Sequence, residues 1–169
     1  MKSNEVGKTN LTLLDSPGGG IEALISSRLR ELHANGENIT LTVYGKGSIS
    51  SGHKANLLVI SSQAGRFHES LPAIACDILL IPGMASKKAS SLQPSLVVSY
   101  GMSIKDSVTL SSIEKSSLVL SLQRELPTIL GHSLERQDIP VSCRDHLSHE
   151  DAMAALTTLL ILGISPAHL

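Results

Sequence analysis

The chain is poor in aromatic side chains. Of its 169 residues only Phe67, Tyr44 and Tyr100 are Phe or Tyr, and there is no Trp. A core without large rings must be built from Leu, Ile, Val and Ala, and a surface without them offers little on which successive nucleobases could stack. Cysteine is scarce too. Cys76 and Cys143 stand alone without tandem spacing, which argues against a disulfide framework and fits a reducing compartment. Long apolar runs are missing: stretches such as 78–82 and 159–163 fall far below the ~20 residues needed to cross a bilayer. The opening MKSNEVGKTN is polar and has no apolar signal core, so residues 1–10 are expected to be weakly ordered and the protein cytoplasmic. Charge is also sparse, at 17% of residues, with 14 Lys and Arg scattered against 15 Asp and Glu. A net charge of −1 gathers no polyanion by counterion release, so neither nucleic acid nor membrane is an expected partner.

What is present is a chain of about one-domain length with 41% hydrophobic residues and a mean hydropathy of +0.16. So lean a polar surface suggests that part of the apolar area is covered by another subunit, and a homo-oligomer is expected. Short β-rich runs recur at residues 11–14, 39–44, 57–61, 77–81, 96–99, 108–112, 118–122 and 138–141, each bounded by Gly, Pro, Ser or Asn. Three of them, LLVIS, DILLI and LVVS, are continuous hydrophobic runs, as expected of strands covered on both faces of a parallel sheet.

Between the first two runs, Ile21, Leu24, Ile25, Leu29 and Leu32 mark one apolar stripe of a helix over residues 21–34, which Asn35 and Gly36 would end. Strand, glycine turn, helix and strand make a right-handed βαβ unit. Segments 64–75 and 84–94 have room for short, irregular helices after buried strands. The runs at 107–122 are separated by too few residues for a parallel crossover and predict an antiparallel hairpin. Ser148 and Asp151 form an S-x-x-D capping pattern, with Met153, Leu156, Leu159 and Leu160 continuing one apolar side of a closing helix over 149–162. The expected architecture is a single α/β domain over residues 1–169: a three-layer Rossmann-like sandwich, mostly parallel, with an antiparallel hairpin or edge extension.

In open α/β sheets ligands bind beyond the carboxyl ends of the strands. Candidate ligand-binding residues are therefore those that follow the proposed strands: Asp15, Ser16, Gly18, Gly19 and Gly20 after the first, Lys46 after the second, then Ser62, Gly83 and Tyr100. The stretch DSPGGGIEALIS leads into a helix whose free N–H groups and dipole suit a phosphate or carboxylate. It matches neither G-x-G-x-x-G nor a P-loop, and Glu22 would repel an anion there, so a plain turn remains the alternative. No cofactor follows from the sequence.

Other groupings carry less. YGKGSISSGHK holds Lys46, His53 and Lys54 in a polar connector that could fold over a phosphate. Cys143, His146 and His149 are zinc-type donors, but their spacing spreads them around a helix, and no metal site is expected. Residues 123–141 are rich in charge and read as a salt-bridged surface excursion, with Arg124 able to reach an anion. Three functions remain: binding of a small anionic metabolite or nucleotide at the strand ends; a non-catalytic assembly protein whose hairpin and closing helix form a homodimer surface; and a hydrolase using a loop serine with His53 or His132.

Overall fold

The computed structural model describes residues 8–32, 38–45, 52–67, 74–142 and 147–169. Alternation of apolar side chains gives the central strands two inward faces. In β1 (Thr9–Leu14), Leu11 and Leu13 enter one core cluster and Leu14 the other. The strand starts inside the stretch expected to be loose, because Thr9 and Asn10 pair with Ile39 and Thr40. Helix α1 (Gly20–Glu31) buries Ile21, Leu24 and Ile25 and is closed by Leu32, so it ends before the expected Asn35–Gly36 stop, which lies outside the described residues. β2 (Ile39–Tyr44) then runs parallel beside β1.

The chain next moves to the other side of β1 with β3 (Lys54–Ile60), followed by the one-and-a-half-turn α2 (Ser62–Phe67), β4 (Ala75–Pro82), a 3-10 segment (Gly83–Ser91) and β5 (Leu96–Tyr100). β6 (Val108–Ile113) and β7 (Ser117–Leu122) form the predicted antiparallel hairpin, with a register shift between Leu110 and Ser112. Two-residue strands β8 (Leu126–Pro127) and β9 (Ser133–Leu134) pair with each other before β10 (Asp138–Ser142) adds to β7. Helix α3 (His149–Ile161) closes the fold, capped by the Ser148 side chain accepting from the Asp151 N–H as the S-x-x-D pattern predicts. The eight-stranded sheet has the order β10-β7-β6-β5-β4-β3-β1-β2. α1 and α3 cover one face, while Ala85, Ala89 and Leu92 of the 3-10 segment and its end cover part of the other, giving the three-layer α/β architecture. No helix among the described residues is long and apolar enough to cross a membrane.

Three expectations change. β3 and β4 are buried on both faces, but β5 is not: Leu96 is 50% and Val97 47% exposed, at the end of the strand that β6, paired only at Tyr100, does not flank. Helix α3 is apolar all round rather than on one side, with residues 152–161 all buried. The sheet lies on one side of it and α1 beside it, while the segment around β8 and β9 closes the outside, where the Ile129 N–H donates to the Ile161 carbonyl at 2.8 Å. A helix buried within its own chain cannot form a homodimer surface, and it accounts for part of the positive hydropathy. The charge-rich segment 123–141 likewise acts through Leu126, Ile129 and Leu134, which pack on the core; its charged side chains form no ion pair among the described residues, and Arg124 donates to the Lys105 carbonyl.

The return from β5 to β6 sets the shape of the carboxyl edge. Parallel neighbours need a crossover of a dozen or more residues, yet only 101–107 separate these strands. The link suffices because they overlap at a single pair, Tyr100 with Val108, so β6 and the antiparallel strands beside it continue the sheet past the point where β5 stops.

Within α3, the Thr157 hydroxyl is fully buried without a hydrogen-bond partner among the described residues. Leaving such a group unpaired costs about 1 kcal/mol or more, whereas a methyl of the same shape costs nothing of the kind. Thr157→Val is therefore expected to stabilise the fold by about 1 kcal/mol in urea denaturation; a loss of stability would show that the hydroxyl is satisfied.

Candidate functional site

The triple glycine forms a turn whose polar groups are already engaged. Pro17 and Gly18 occupy its centre, Gly18 at φ +76°, and the Gly19 N–H closes it on the Ser16 carbonyl at 3.0 Å. Proline followed by a residue with positive φ is the type II pattern, which favours glycine at that place. The Gly18 N–H donates to Glu22 Oε2 at 2.8 Å, so the chain's own carboxylate fills this part of the anion cradle. A methyl group on Gly19 would stand 2.6 Å from Asp15 Oδ2, and one on Gly20 would collide with Leu147. These two glycines permit close packing of the turn against Asp15 and against the segment entering α3.

The strand-end candidates divide into two groups. Asp15, Ser16, Gly18, Gly19, Gly20 and Ser62 follow β1 and β3, where the strand order reverses. Some of their polar groups are engaged within the fold: the Asp15 N–H donates to the Tyr44 carbonyl, and Ser62 is buried at the start of α2, which is capped by Ser61 Oγ accepting from the Ala64 N–H, while Ser16 and Gly18 are exposed. Gly83 and Tyr100 lie one and two strands beyond β3, at the ends of β4 and β5. Lys46 lies outside the described residues.

A cavity of about 470 Å³ opens beyond β4 and β5, bounded by Gly83, Met84 and Ser86 on one side and by residues of the 101–106 return on the other, with Glu150 of α3 at its margin. Pro82 and Tyr100 are paired in register, so Gly83 and Gly101 occupy equivalent places just past two neighbouring strands. Asp106 fills the space between them. Its carboxylate lies so close to both α-carbons that a side chain at either position would collide with it. The residue is only 6% exposed. One oxygen, Oδ2, accepts from the Ser103 N–H at 3.1 Å, and the Asp106 N–H returns to the Ser103 carbonyl at 2.9 Å. Oδ1 packs against the Gly83 α-carbon, and the residue lines the cavity. Ser99 and Ser107 exchange side-chain-to-backbone bonds in both directions, pinning the ends of the return.

Tyr100 forms part of the floor. Its hydroxyl donates to the Ile60 carbonyl at 2.8 Å, tying β5 to β3 beneath the carboxyl edge, so its role is to build the cavity. Burial, and then the nearby charges of Asp151, Glu150 and Asp15, push the ionisation of this phenol far upward. Burial also raises the pKa of Asp151; the Ser148 hydrogen bond opposes this, and Asp15 and Glu150 add to it. Lys105 is the cation bordering the cavity.

The other candidates do not converge. His53 Nε2 shares a hydrogen bond with Thr12 Oγ1 at 2.8 Å and packs edge-on against Tyr44. The His132 carbonyl accepts from Thr128, and no serine–histidine hydrogen bond exists among the described residues. His149 starts α3, but Cys143 and His146 lie outside the described residues; among those described, no group of three His, Cys, Asp or Glu could hold a metal ion. Cys76 is buried in β4, and burial, with Asp77 nearby, pushes its thiol up to about 11. It is a poor nucleophile at neutral pH.

Sequence reasoning placed Gly83 and Tyr100 at this cavity and missed Asp106, which stands six residues past a strand end and returns to it only through the fold. The signal that could have found it is the pair of glycines at matching places after two adjacent buried strands.

No protein-family model matches the sequence, and no curated protein does. The structure is similar to that of UDP-N-acetylmuramoylalanyl-D-glutamyl-2,6-diaminopimelate--D-alanyl-D-alanyl ligase from Acinetobacter baumannii, with a TM-score of 0.56 and 13% identity. The match covers 96% of this chain and 44% of the ligase, so the chain spans less than half the length of that protein. At this identity the likeness is one of fold.

The raised Asp151 value has a testable sign. A carboxyl whose folded pKa exceeds its unfolded one holds its proton more tightly when folded, so it costs stability as pH rises through that interval and the full cost applies above it. Asp151→Asn is expected to raise the melting temperature at pH 7, with the gain disappearing as pH falls below the ordinary aspartate value of about 4. A gain independent of pH would assign the effect to something other than charge.

Proposed function

We propose that the protein binds a small molecule at the carboxyl edge of its sheet, in the cavity over Asp106, and that this carboxylate receives N–H donors of the ligand. The observation that carries the reading is the seat of Asp106: a carboxylate nine-tenths buried, backed by two glycines and fixed by Ser103, in a residue that lines a cavity large enough for a metabolite. Desolvation makes such an acceptor selective, because a ligand without a matching donor leaves it unpaired.

The surrounding charge favours donor-rich or cationic ligands over polyanions. Asp106 and Glu150 border the cavity with Lys105, while Asp15 and Asp151 act from behind. Lys105 can still meet one anionic group, which keeps a singly charged metabolite or nucleotide within the reading. Neither a catalytic step nor the reaction of the ligase that shares the fold is assigned to this chain.

Self-association is a second reading, favoured by the half-exposed Leu96 and Val97 at the start of β5. Light scattering is expected to show a dimer; a monomer at high protein concentration would remove it.

The binding reading is tested by NMR titration of the full chain with methylguanidinium, a probe that offers adjacent N–H donors and no ring. The backbone amides of Gly83, Gly101, Ser103 and Asp106 are expected to shift, and Asp106→Asn to abolish the response. Shifts confined to Gly18, Gly19 and Gly20 on titration with inorganic phosphate, with none at the other four on methylguanidinium, would return the site to the glycine turn.

A further inference from the structure

We propose that the protein forms a two-fold dimer by pairing β2 with β2 of a second copy, antiparallel and centred on Leu41, so that one sheet runs through both. The inference rests on the self-association reading above and assigns the contact to β2 rather than to the start of β5.

The sheet ends differently on its two sides, where β10 and β2 are the outermost strands. The Gln137 carbonyl accepts from the Leu122 N–H, so alternation along β10 turns the backbone groups of Asp138, Pro140 and Ser142 outward. Proline at the centre of that row has no N–H to offer, which blocks a further strand. β2 carries none of the devices that protect an edge. Its sequence ITLTVY contains no Pro, Gly or charge, and its register with β1 is unbroken from Ile39 to Tyr44. The Tyr44 carbonyl accepts from the Asp15 N–H at 3.1 Å, which fixes the alternation: Thr40, Thr42 and Tyr44 bond to β1, while Ile39, Leu41 and Val43 direct their N–H and C=O groups away from the sheet. Among the described residues no strand pairs with that row.

The occupant follows from the strand's own sequence. Residues 39–43, ITLTV, present nearly the same order of side chains in either direction, so a two-fold axis at Leu41 sets Leu41 against its own copy, Ile39 against Val43 and Thr40 against Thr42. Every outward N–H then meets an outward C=O, and the apolar pairs and the threonine pairs are both favourable across antiparallel strands. No charge faces another. Ile39, Leu41 and Val43 pack on the same cluster as α1 and are only partly buried there, so a second strand laid alongside covers their remaining area. That cover agrees with a mean hydropathy of +0.16. A dimer built this way stops at two copies, because the outermost strands it leaves are the two that Pro140 blocks.

Sedimentation and amide hydrogen exchange of the full chain test the contact. The unaltered chain is expected to be a dimer in which the Leu41 and Val43 amides exchange slowly at high concentration and faster on dilution. Thr40→Lys with Thr42→Lys sets like charges opposite each other across the axis and should weaken the dimer by roughly tenfold or more, whereas Thr40→Lys with Thr42→Glu sets opposite charges there and should restore it. Leu41→Pro copies the device of the other edge: it removes an outward N–H and no bond to β1, so it should give a monomer whose circular dichroism matches that of the unaltered chain. Should the proline variant fail to fold, the two charge variants decide. A dimer that survives the paired lysines would overturn this contact and leave self-association standing through another surface. A monomer in the unaltered chain would overturn both. Equal weakening by the two charge variants, or assembly beyond two copies, would also refute the antiparallel β2 pairing.

Discussion

The carboxyl edge of this protein is organised by the return from β5 to β6. Seven residues cannot carry a chain back to the start of a parallel neighbour, so β6 begins level with Tyr100 and the sheet is extended rather than widened. That step raises a wall over the ends of β4 and β5. It also doubles the return back on itself through Ser103 and Asp106, and it places a carboxylate where two strand ends would otherwise meet only backbone. Glycine at 83 and 101 is what lets the carboxylate seat there.

The electrostatic character of the edge follows from how the helix ends are satisfied. The N-terminus of α1 lies beside Glu22, which accepts from Gly18, while α3 begins with Glu150 and Asp151 in its first turn. Acidic groups at such ends are favourable in themselves. Here they take up the positive poles that an α/β fold commonly turns toward an anion. The cavity beyond β4 and β5 is lined by the carboxylates of Asp106 and Glu150, and the charges of Asp151, Glu150 and Asp15 act on Tyr100 beneath it. Lys105 is bound into the same return, its N–H donating to Ser103 Oγ.

Stability and site share the same parts. Tyr100 spans from β5 to the Ile60 carbonyl and fixes the floor. Helix α3 contributes its first turn to the edge and the remainder to the core, so the position of Glu150 is set by the burial of residues 152–161. A buried helix resists rotation because each of its faces is packed, and the carboxylates at its start inherit that order.

Much of the architecture is legible in the sequence. Strand positions follow from short apolar runs between turn residues; α1 follows from the spacing of Ile21, Leu24 and Ile25, the hairpin from a link too short to cross over, and the start of α3 from Ser148 with Asp151. These features depend on neighbours a few positions apart, which is the range over which backbone geometry and local hydrogen bonds act. The glycine turn shows both the reach and the limit of such reasoning: its opposition to an anion could be read from Glu22, but that Glu22 fills the Gly18 N–H could not.

What only the tertiary structure decided are the relations between distant segments. The exposure of Val97 depends on how far β6 flanks β5, and the complete burial of α3 on Leu126, Ile129 and Leu134 folding over it. The place of Asp106 depends on a return that brings it between glycines 23 and 5 positions earlier in the chain. The sequence by itself determined which segments are strands and helices and which glycines stand at strand ends, because those are local choices of backbone and side chain. The cavity required the packed fold, since only elements far apart in the chain can remove the Asp106 carboxylate from water and leave an opening beside it.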